Sequence, residues 1–279
     1  MKIRQPVVAG RFYPANKVEL TKLIQKLRNR EQSSVNYSID KNTLIGGVSP
    51  HAGLIYSGWQ AIHLYELLAK YKTEYKTFVI VNPNHTGLGH GDFNTCNYTH
   101  WRTPLGDIPV DLGLQSLLQI DTDNQAHDHE HSAEVQLPLL QTTLNYCFKI
   151  LPITMNRQNP DAALELAKQL HTAIKLAKKK VFIIASSDFS HYISPRQIES
   201  TDQPVVNKIL TLNTKDTYKC IKKKQASICG YGPIMTLMEY SKMESDASSI
   251  QLLAEGHSGE IAPSNQVVHY ISFMAYRNC

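Results

Sequence analysis

Three short apolar runs in this sequence each lead into a polar segment that contains a histidine. The runs span residues 43–48, 77–81 and 181–185, and the segments after them contain His51, His85 and His191. Runs of this length and composition are typical of buried β-strands. In open α/β sheets the ligand crevice lies beyond the carboxyl ends of the strands. The three histidines are therefore expected to converge on one crevice, and such a ligand set suits a redox-capable transition metal.

Strand and helix signals alternate along the rest of the chain, which predicts an α/β fold with a central, mostly parallel or mixed sheet flanked by helices. The polar stretch 29–42 predicts a surface loop. The candidate ligands extend from position 51 to position 229, so we expect a single domain over residues 1–279. The predicted helices are 17–29, 57–70, 111–119, 132–144, 161–178, 203–212 and 232–243, and the predicted strands are 44–48, 77–81, 148–153, 181–185, 250–254 and 266–275.

Composition excludes several classes of partner. The net charge is only +5, and the lysine clusters 178–180 and 222–224 lie where helices are expected to end, so we predict no nucleic-acid binding. No stretch reaches the roughly 18 apolar residues that span a membrane, and the first ten residues lack the apolar core of a signal peptide. The five cysteines include no C-x-x-C pair. These features together predict a reducing, cytoplasmic location.

Each candidate residue also has a simpler interpretation. A lone histidine such as His51 or His85 is more often a hydrogen-bonded structural residue than a metal ligand, and only the repeated context favours a shared site. Asp188 lies three positions before His191, so the carboxylate could orient an imidazole or bind a metal while the histidine moves protons. Asp188 could equally cap a helix. Cys229 precedes a turn into a helix, where a thiolate would be stabilised, but a small buried apolar role is the default for a free cysteine.

The segment 127–134 is the densest polar cluster, but it does not match the H-E-x-x-H zinc motif because position 133 is alanine. We expect His127 and His129 to lie in a solvated loop. His131 and Glu134 border a predicted core helix, which leaves a pocket role and a structural role equally open for both.

Eight segments match a known family in order along nearly the whole chain: 4–14, 50–58, 82–85, 101–106, 130–138, 186–191, 229–230 and 258–260. In these segments the sequence resembles the Memo family, whose prokaryotic members are called AmmeMemoRadiSam system protein B. That family is similar in fold to the class III extradiol ring-cleaving dioxygenases, which are non-haem iron enzymes. The prokaryotic name also implies an association with a radical S-adenosylmethionine protein.

The resemblance implies roles for five residues. His51, His85 and Cys229 match the metal-binding positions of Memo proteins, and Asp188 and His191 match the remaining pocket positions. His191 also resembles the acid/base histidine of the dioxygenases. Those enzymes complete their ligand set with a carboxylate, whereas this chain offers Cys229. A thiolate suits copper as well as iron, so ring cleavage cannot simply be carried over.

The sequence thus favours a mononuclear non-haem site for iron, as Fe(II), or for copper, with redox chemistry on a small organic substrate. His191 would be the acid/base, Asp188 an orienting group or an additional ligand, and His131 and Glu134 would line the pocket or support the ligands. One alternative is a non-enzymatic module that binds peptides or proteins. Another is a true extradiol dioxygenase, which must consume O₂ with a catechol.

Overall fold

The computed structural model describes residues 1–35, 43–71 and 73–278. Their strands form one large mixed sheet and one small one, and their helices pack on both faces of the large sheet. The strands are β1 (Ile3–Arg4), β2 (Thr43–Ser49), β3 (Thr77–Pro83), β4 (Phe93–Thr95), β5 (His100–Thr103), β6 (Gly106–Pro109), β7 (Asp121–Thr122), β8 (Lys149–Met155), β9 (Val181–Ser186), β10 (Ser248–His257) and β11 (His269–Arg277).

The helices are α1 (Lys17–Glu31), α2 (Leu54–Lys70), α3 (Leu112–Gln115), α4 (Gln125–Asp128), α5 (Gln136–Thr143), α6 (Pro160–Ala177), α7 (Pro195–Thr201), α8 (Gln203–Leu210), α9 (Thr214–Lys224) and α10 (Tyr231–Glu244), with a 3₁₀ turn at Ser258–Glu260. Among the described residues, none of these helices is long and apolar enough to cross a lipid bilayer.

The large sheet has eight strands in the order β10-β11-β2-β9-β3-β8-β4-β7. Its centre, β2-β9-β3-β8, is parallel, and β11 joins β2 in the antiparallel sense. The fold-class prediction of a central mixed sheet flanked by helices is confirmed. Because β2, β9 and β3 run in parallel, their carboxyl ends lie at the same edge of the sheet, and that edge positions the candidate site.

The central strands are apolar throughout because both of their faces are covered. On β3, Val79 and Val81 pack on the side of α6 and α10, whereas Phe78 and Ile80 pack on the side of α1, α2 and α5. Side chains alternate between the two faces of a strand, so a continuous apolar run fills two separate cores.

The predicted segments matched the long elements and missed short ones. The predicted helix 111–119 is reduced to α3, and only the second part of the predicted helix 132–144 is α5. The predicted loop 29–42 begins inside α1, which extends to Glu31, and its positions 36–42 lie outside the described residues. Strands β4 to β7 and helices α7 and α9 had no predicted counterpart, because they are short or strongly polar.

Candidate metal centre

Three candidate ligands from distant parts of the chain meet at the carboxyl edge of the sheet. His51 follows β2, His85 follows β3, and Cys229 precedes α10. One ligand atom from each lies within 4.8 Å of the others. The Cys229 Sγ atom is 3.2 Å from the His51 Nε2 atom, and the rings of His51 and His85 have centroids 5.1 Å apart.

The His51 ring is held by a buried hydrogen-bond network. Its Nδ1 atom is 2.9 Å from the Ser186 hydroxyl, which donates its own proton to the Ser132 carbonyl at 2.7 Å. Because the Ser186 hydroxyl donates its only proton to Ser132, it can only accept a hydrogen bond from His51. The Nδ1 atom of His51 must therefore carry the ring proton. The Nε2 lone pair therefore points toward Cys229. Desolvation of this 2 % exposed residue holds its pKa well below the usual range, with further lowering by the nearby histidines, so the ring is neutral.

His85 is oriented by the Glu130 carboxylate, which accepts from its backbone N–H at 2.6 Å and from its Nδ1 atom at 2.9 Å. Metal-binding histidines commonly donate their second nitrogen to a carboxylate in this way. Desolvation lowers the pKa of His85, but the hydrogen bond and the charge of Glu130 outweigh it and raise the pKa overall. His85 is also the most accessible of the three, with 31 % of its side chain exposed.

Glu130 is saturated with donors. Besides His85, it accepts from the backbone N–H groups of His131 and Ser132 and from the Ser132 hydroxyl. Burial alone would raise the pKa of this carboxyl, yet the His85 hydrogen bond, the neighbouring histidines and the Ser132 hydroxyl lower it to about 2. Glu130 is therefore a fixed anion at neutral pH.

His131 completes a group of three imidazoles. Its ring stacks on that of His85 at 4.8 Å and meets that of His51 edge-on at 5.4 Å. Desolvation lowers its pKa to about 4, so it too is neutral. On its outer side, Phe12 packs against the ring at 4.9 Å.

Cys229 is tied to the strand β9 side of the crevice. Its Sγ atom accepts from the backbone N–H of Asp188 at 3.2 Å, and its own N–H donates to the Asp188 carbonyl at 3.3 Å. A Cβ atom on the next residue, Gly230, would lie 2.3 Å from the Ser186 carbonyl oxygen, so only glycine permits this approach. Desolvation, reinforced by Asp188, raises the pKa of the Cys229 thiol well above its ordinary value.

Asp188 and His191 lie beside this group. The Asp188 carboxylate is 4 % exposed and accepts from the His51 backbone N–H at 2.8 Å, and desolvation raises its pKa. The His191 Nδ1 atom is 2.8 Å from the Ser227 carbonyl oxygen and must donate to it, which leaves Nε2 unprotonated in the neutral ring. A positive charge on His191 would lower the pKa of both His51 and Asp188.

The sequence model of the Memo-like proteins matches residues 4–274. This chain belongs to the Memo family. A MEMO1 family protein of Methanococcoides burtonii is 38% identical over 275 residues, covering 98% of this chain and 99% of that protein. A MEMO1 family protein of Archaeoglobus fulgidus is 39% identical over 271 residues, covering 96% of this chain and 97% of that one. The crystal structure of an uncharacterized protein of Escherichia coli K12 shares the fold, with a TM-score of 0.52 and 12% identity, covering 83% of this chain and 99% of that one.

One sequence-based expectation for this Memo-family chain needs correction. His127 is fully buried rather than solvated, with Nε2 3.1 Å from the Asn94 carbonyl oxygen, whereas His129 is exposed as expected. For Glu134 a pocket role and a structural role were both open, and its contacts are structural. Its carboxylate accepts from Arg4, from the backbone of residues 7 and 8, and from Tyr13, so it anchors the N-terminal segment that carries Phe12.

Sequence reasoning assigned no site role to Glu130, Ser186 or Ser227, which hold the second nitrogens of His85, His51 and His191. A signal existed for the first two, since Glu130 adjoins His131 and Ser186 directly follows a predicted strand. Ser227 acts through its backbone carbonyl, which no sequence pattern reveals.

Proposed function

We propose that His51, His85 and Cys229 bind one transition-metal ion, most readily Fe(II) and alternatively copper, and that the protein carries out redox chemistry on a small organic molecule. The observation that carries the proposal is the convergence of three ligand atoms within 4.8 Å, from positions up to 178 residues apart.

The donor set fits such an ion. Both histidines have Nδ1 engaged by Ser186 or Glu130, so in the neutral ring each presents the Nε2 lone pair to the shared space. Two imidazoles and one thiol form a borderline-soft set that suits iron, copper and zinc better than magnesium or calcium. Coordination deprotonates a thiol, which would offset the burial that keeps Cys229 protonated.

A bound iron ion would supply the electron-transfer and O₂ chemistry that amino-acid side chains lack. The residues around it would do the rest. His191 Nε2 is free to take up or release a substrate proton, while the Ser227 carbonyl fixes the ring. The Asp188 carboxylate accepts from the His51 backbone N–H, and the Asp188 backbone N–H donates to the Cys229 sulfur. These two contacts make Asp188 an orienting group.

The extradiol dioxygenase alternative requires two histidines and one carboxylate. His85, Glu130 and His131 form such a set within 4.8 Å among the described residues. Glu130, however, already accepts hydrogen bonds from the backbone N–H groups of His131 and Ser132, from the Ser132 hydroxyl and from His85. Binding a metal through Glu130 would leave buried donors unsatisfied. This favours an orienting role for Glu130 and the thiol-containing set for the metal.

Metal content tests the proposal. Protein purified anaerobically and loaded with Fe(II) should retain about one ion per chain after desalting, by elemental analysis. His51→Ala, His85→Ala and Cys229→Ala should each lose it. His90→Gln is the matched control, because the His90 side chain is 88 % exposed and pairs with Asp123. Equal retention by all four variants would refute the site, whereas failure of the parent to retain an ion would leave a metal-free binding module as the better interpretation.

His191→Gln separates catalysis from binding. This variant should keep the ion but lose turnover of any substrate that the parent oxidises. Metal loss equal to that of His51→Ala would make His191 a ligand instead.

A further inference from the structure

The turn that carries Cys229 is held at both ends by one side-chain amide. Gln158 lies in the loop between β8 and α6, 71 positions before Cys229. Its Nε2 atom donates to the Cys229 carbonyl oxygen at 2.9 Å, and its Oε1 atom accepts from the Gly232 backbone N–H at 2.7 Å. We call this pair of hydrogen bonds the Gln158 clamp. Neither bond involves the thiol, so the clamp acts on the backbone that carries it.

One half of the clamp supplies a helix cap that the local sequence cannot provide. The first N–H groups of a helix have no partner within it, and a side chain at the N-cap position usually accepts from one of them. The N-cap residue of α10 is Gly230, which has no side chain. A Cβ atom there would collide with the Ser186 carbonyl oxygen, so the close approach of this turn to β9 excludes the usual cap residues. Gln158 therefore caps α10 from a different part of the chain.

A cap alone does not need the other half of the clamp. The first intrahelical bond of α10 is accepted by the Gly230 carbonyl, from the Ile234 N–H at 3.0 Å. The Cys229 carbonyl precedes it and lies outside the helical ladder, and Gln158 Nε2 gives it a hydrogen bond. Because one planar amide makes both bonds, the Cys229 carbonyl and the start of α10 keep a fixed relative orientation.

The peptide groups on both sides of the Cys229 Cα atom are held from two different strands. On one side, the Cys229 N–H donates to the Asp188 carbonyl, just beyond β9, at 3.3 Å. On the other side, the Cys229 carbonyl accepts from Gln158, which follows β8, and β8 lies on the far side of β3 from β9. Two fixed peptide planes determine the direction of the Cα–Cβ bond between them. That direction places the Cys229 Sγ atom 3.2 Å from His51 Nε2.

We propose that Gln158 is a positioning residue of the candidate metal centre and sets the place of the Cys229 sulfur relative to His51 and His85. Without the clamp, the Cys229 carbonyl is free to rotate, and the sulfur is no longer held at the third ligand position. The inference rests on the proposed function, because it concerns a ligand of that metal site. Loss of a group that orients a ligand typically lowers metal affinity about 10–100-fold. The clamp acts through the backbone, so we expect the lower end of that range.

Two substitutions separate the positioning role from the cap. Gln158→Glu keeps an acceptor for the Gly232 N–H, and its charge is favourable at a helix N-terminus. It loses the donor and places a carboxylate oxygen against the Cys229 carbonyl. Gln158→Met has a similar length and loses both hydrogen bonds without adding a charge. Gln158 is half-buried in a loop, so both variants should fold.

Anaerobic titration of the full chain with Co(II) is the assay, because a thiolate bound to Co(II) adds a charge-transfer absorption band that imidazole ligands do not. The parent should show this band. Both variants should show a weaker band and about tenfold lower Co(II) affinity. Urea denaturation of the metal-free proteins measures the cap: Gln158→Glu should be as stable as the parent, and Gln158→Met less stable. A Gln158→Glu band and affinity equal to those of the parent would reduce Gln158 to a cap and overturn the proposal.

The matched control is Gln169→Met. The Gln169 amide is also half-buried and accepts from a backbone N–H, that of Gln119 at 3.0 Å, but it lies on α6. This variant should keep the band and the Co(II) affinity of the parent, and a loss equal to that of Gln158→Met would overturn the proposal. Absence of the band in the parent would instead refute Cys229 as a ligand, and the proposed function with it.

Discussion

Replacing Arg4 with methionine should destabilise the protein strongly, because it would leave a buried carboxylate without its counter-ion. Arg4 Nη1 is 2.6 Å from Glu134 Oε2, and the two side chains are 2 % and 0 % exposed. Arg4 also donates to the carbonyls of His127 and Glu130 and stacks on Trp101 with its guanidinium carbon 4.1 Å from the ring centroid.

Breaking a buried ion pair by removing one partner costs about 3–5 kcal/mol. Methionine retains much of the packing against Trp101, so the loss should come mainly from the uncompensated Glu134 charge and the two orphaned carbonyls. Since a whole domain is stable by about 5–15 kcal/mol, this single substitution should remove a large share of the free energy of unfolding. The loss corresponds to a change of about two to three and a half powers of ten in the unfolding equilibrium constant.

The assay is urea denaturation followed by circular dichroism, with the free energy of unfolding compared at equal slope. Arg102→Met is the matched control, because Arg102 forms an ion pair with Asp107 whose side chains are 44 % and 25 % exposed. Solvent screens that pair, so its loss should change the free energy far less. Adding Glu134→Gln to Arg4→Met should recover part of the loss. A cost for Arg4→Met no larger than that of Arg102→Met would refute the reasoning.

Glu130→Gln should weaken Fe(II) binding about 10–100-fold, as loss of a carboxylate behind a ligating histidine does; competition with a chelator measures it, and unchanged affinity would contradict the orienting role. Cys229→Glu should bind Fe(II) at least as well as the parent in the same anaerobic titration, because it restores a two-histidine, one-carboxylate set. Reconstituted parent should take up little O₂ with catechols, and rapid uptake would argue for inherited ring cleavage. Burial alone would raise the pKa of Asp111, but hydrogen bonds from Lys179 and Thr77 lower it overall. The ionised Asp111 carboxylate therefore stabilises the fold at any pH above its unfolded pKa of about 4. That stabilisation is lost as the pH falls through the lower pKa that Asp111 has in the folded protein. Lys179→Met should therefore lower the free energy of unfolding by about 1–2 kcal/mol at neutral pH, with the difference shrinking below about pH 4 in a urea series; a pH-independent difference would contradict this.

The long central strands could be predicted because their burial on both faces leaves a continuous apolar run in the sequence. The short strands β4 and β7 could not. Strand β7 has two exposed residues, and β4 has three residues whose pairing with β8 is set by the tertiary fold. Helix α9 is rich in lysine, and of its three buried residues, Thr214, Thr217 and Ile221, only one is apolar, so its apolar stripe is too weak to detect.

The candidate site residues also include some that the sequence could predict and some that it could not. Each candidate ligand follows or precedes a regular element, so the common edge of the sheet brings them together. The burial of His127 could not be read from its polar neighbours, because Trp101 and the strand β4 carbonyls that enclose it come from other parts of the chain. Glu134 adjoins the core helix, which left a pocket role and a structural role open, and its partners in residues 4–13 lie more than a hundred positions earlier.

The contact between Cys229 and His51 spans 178 positions of the sequence. During synthesis both histidines leave the ribosome long before the thiol, so a nascent chain offers at most an incomplete set of ligands. Contacts this far apart form late, because the chain between them must be ordered first. An ion held by all three side chains would therefore be acquired only after α10 docks on the sheet, and its retention would report that this docking has taken place.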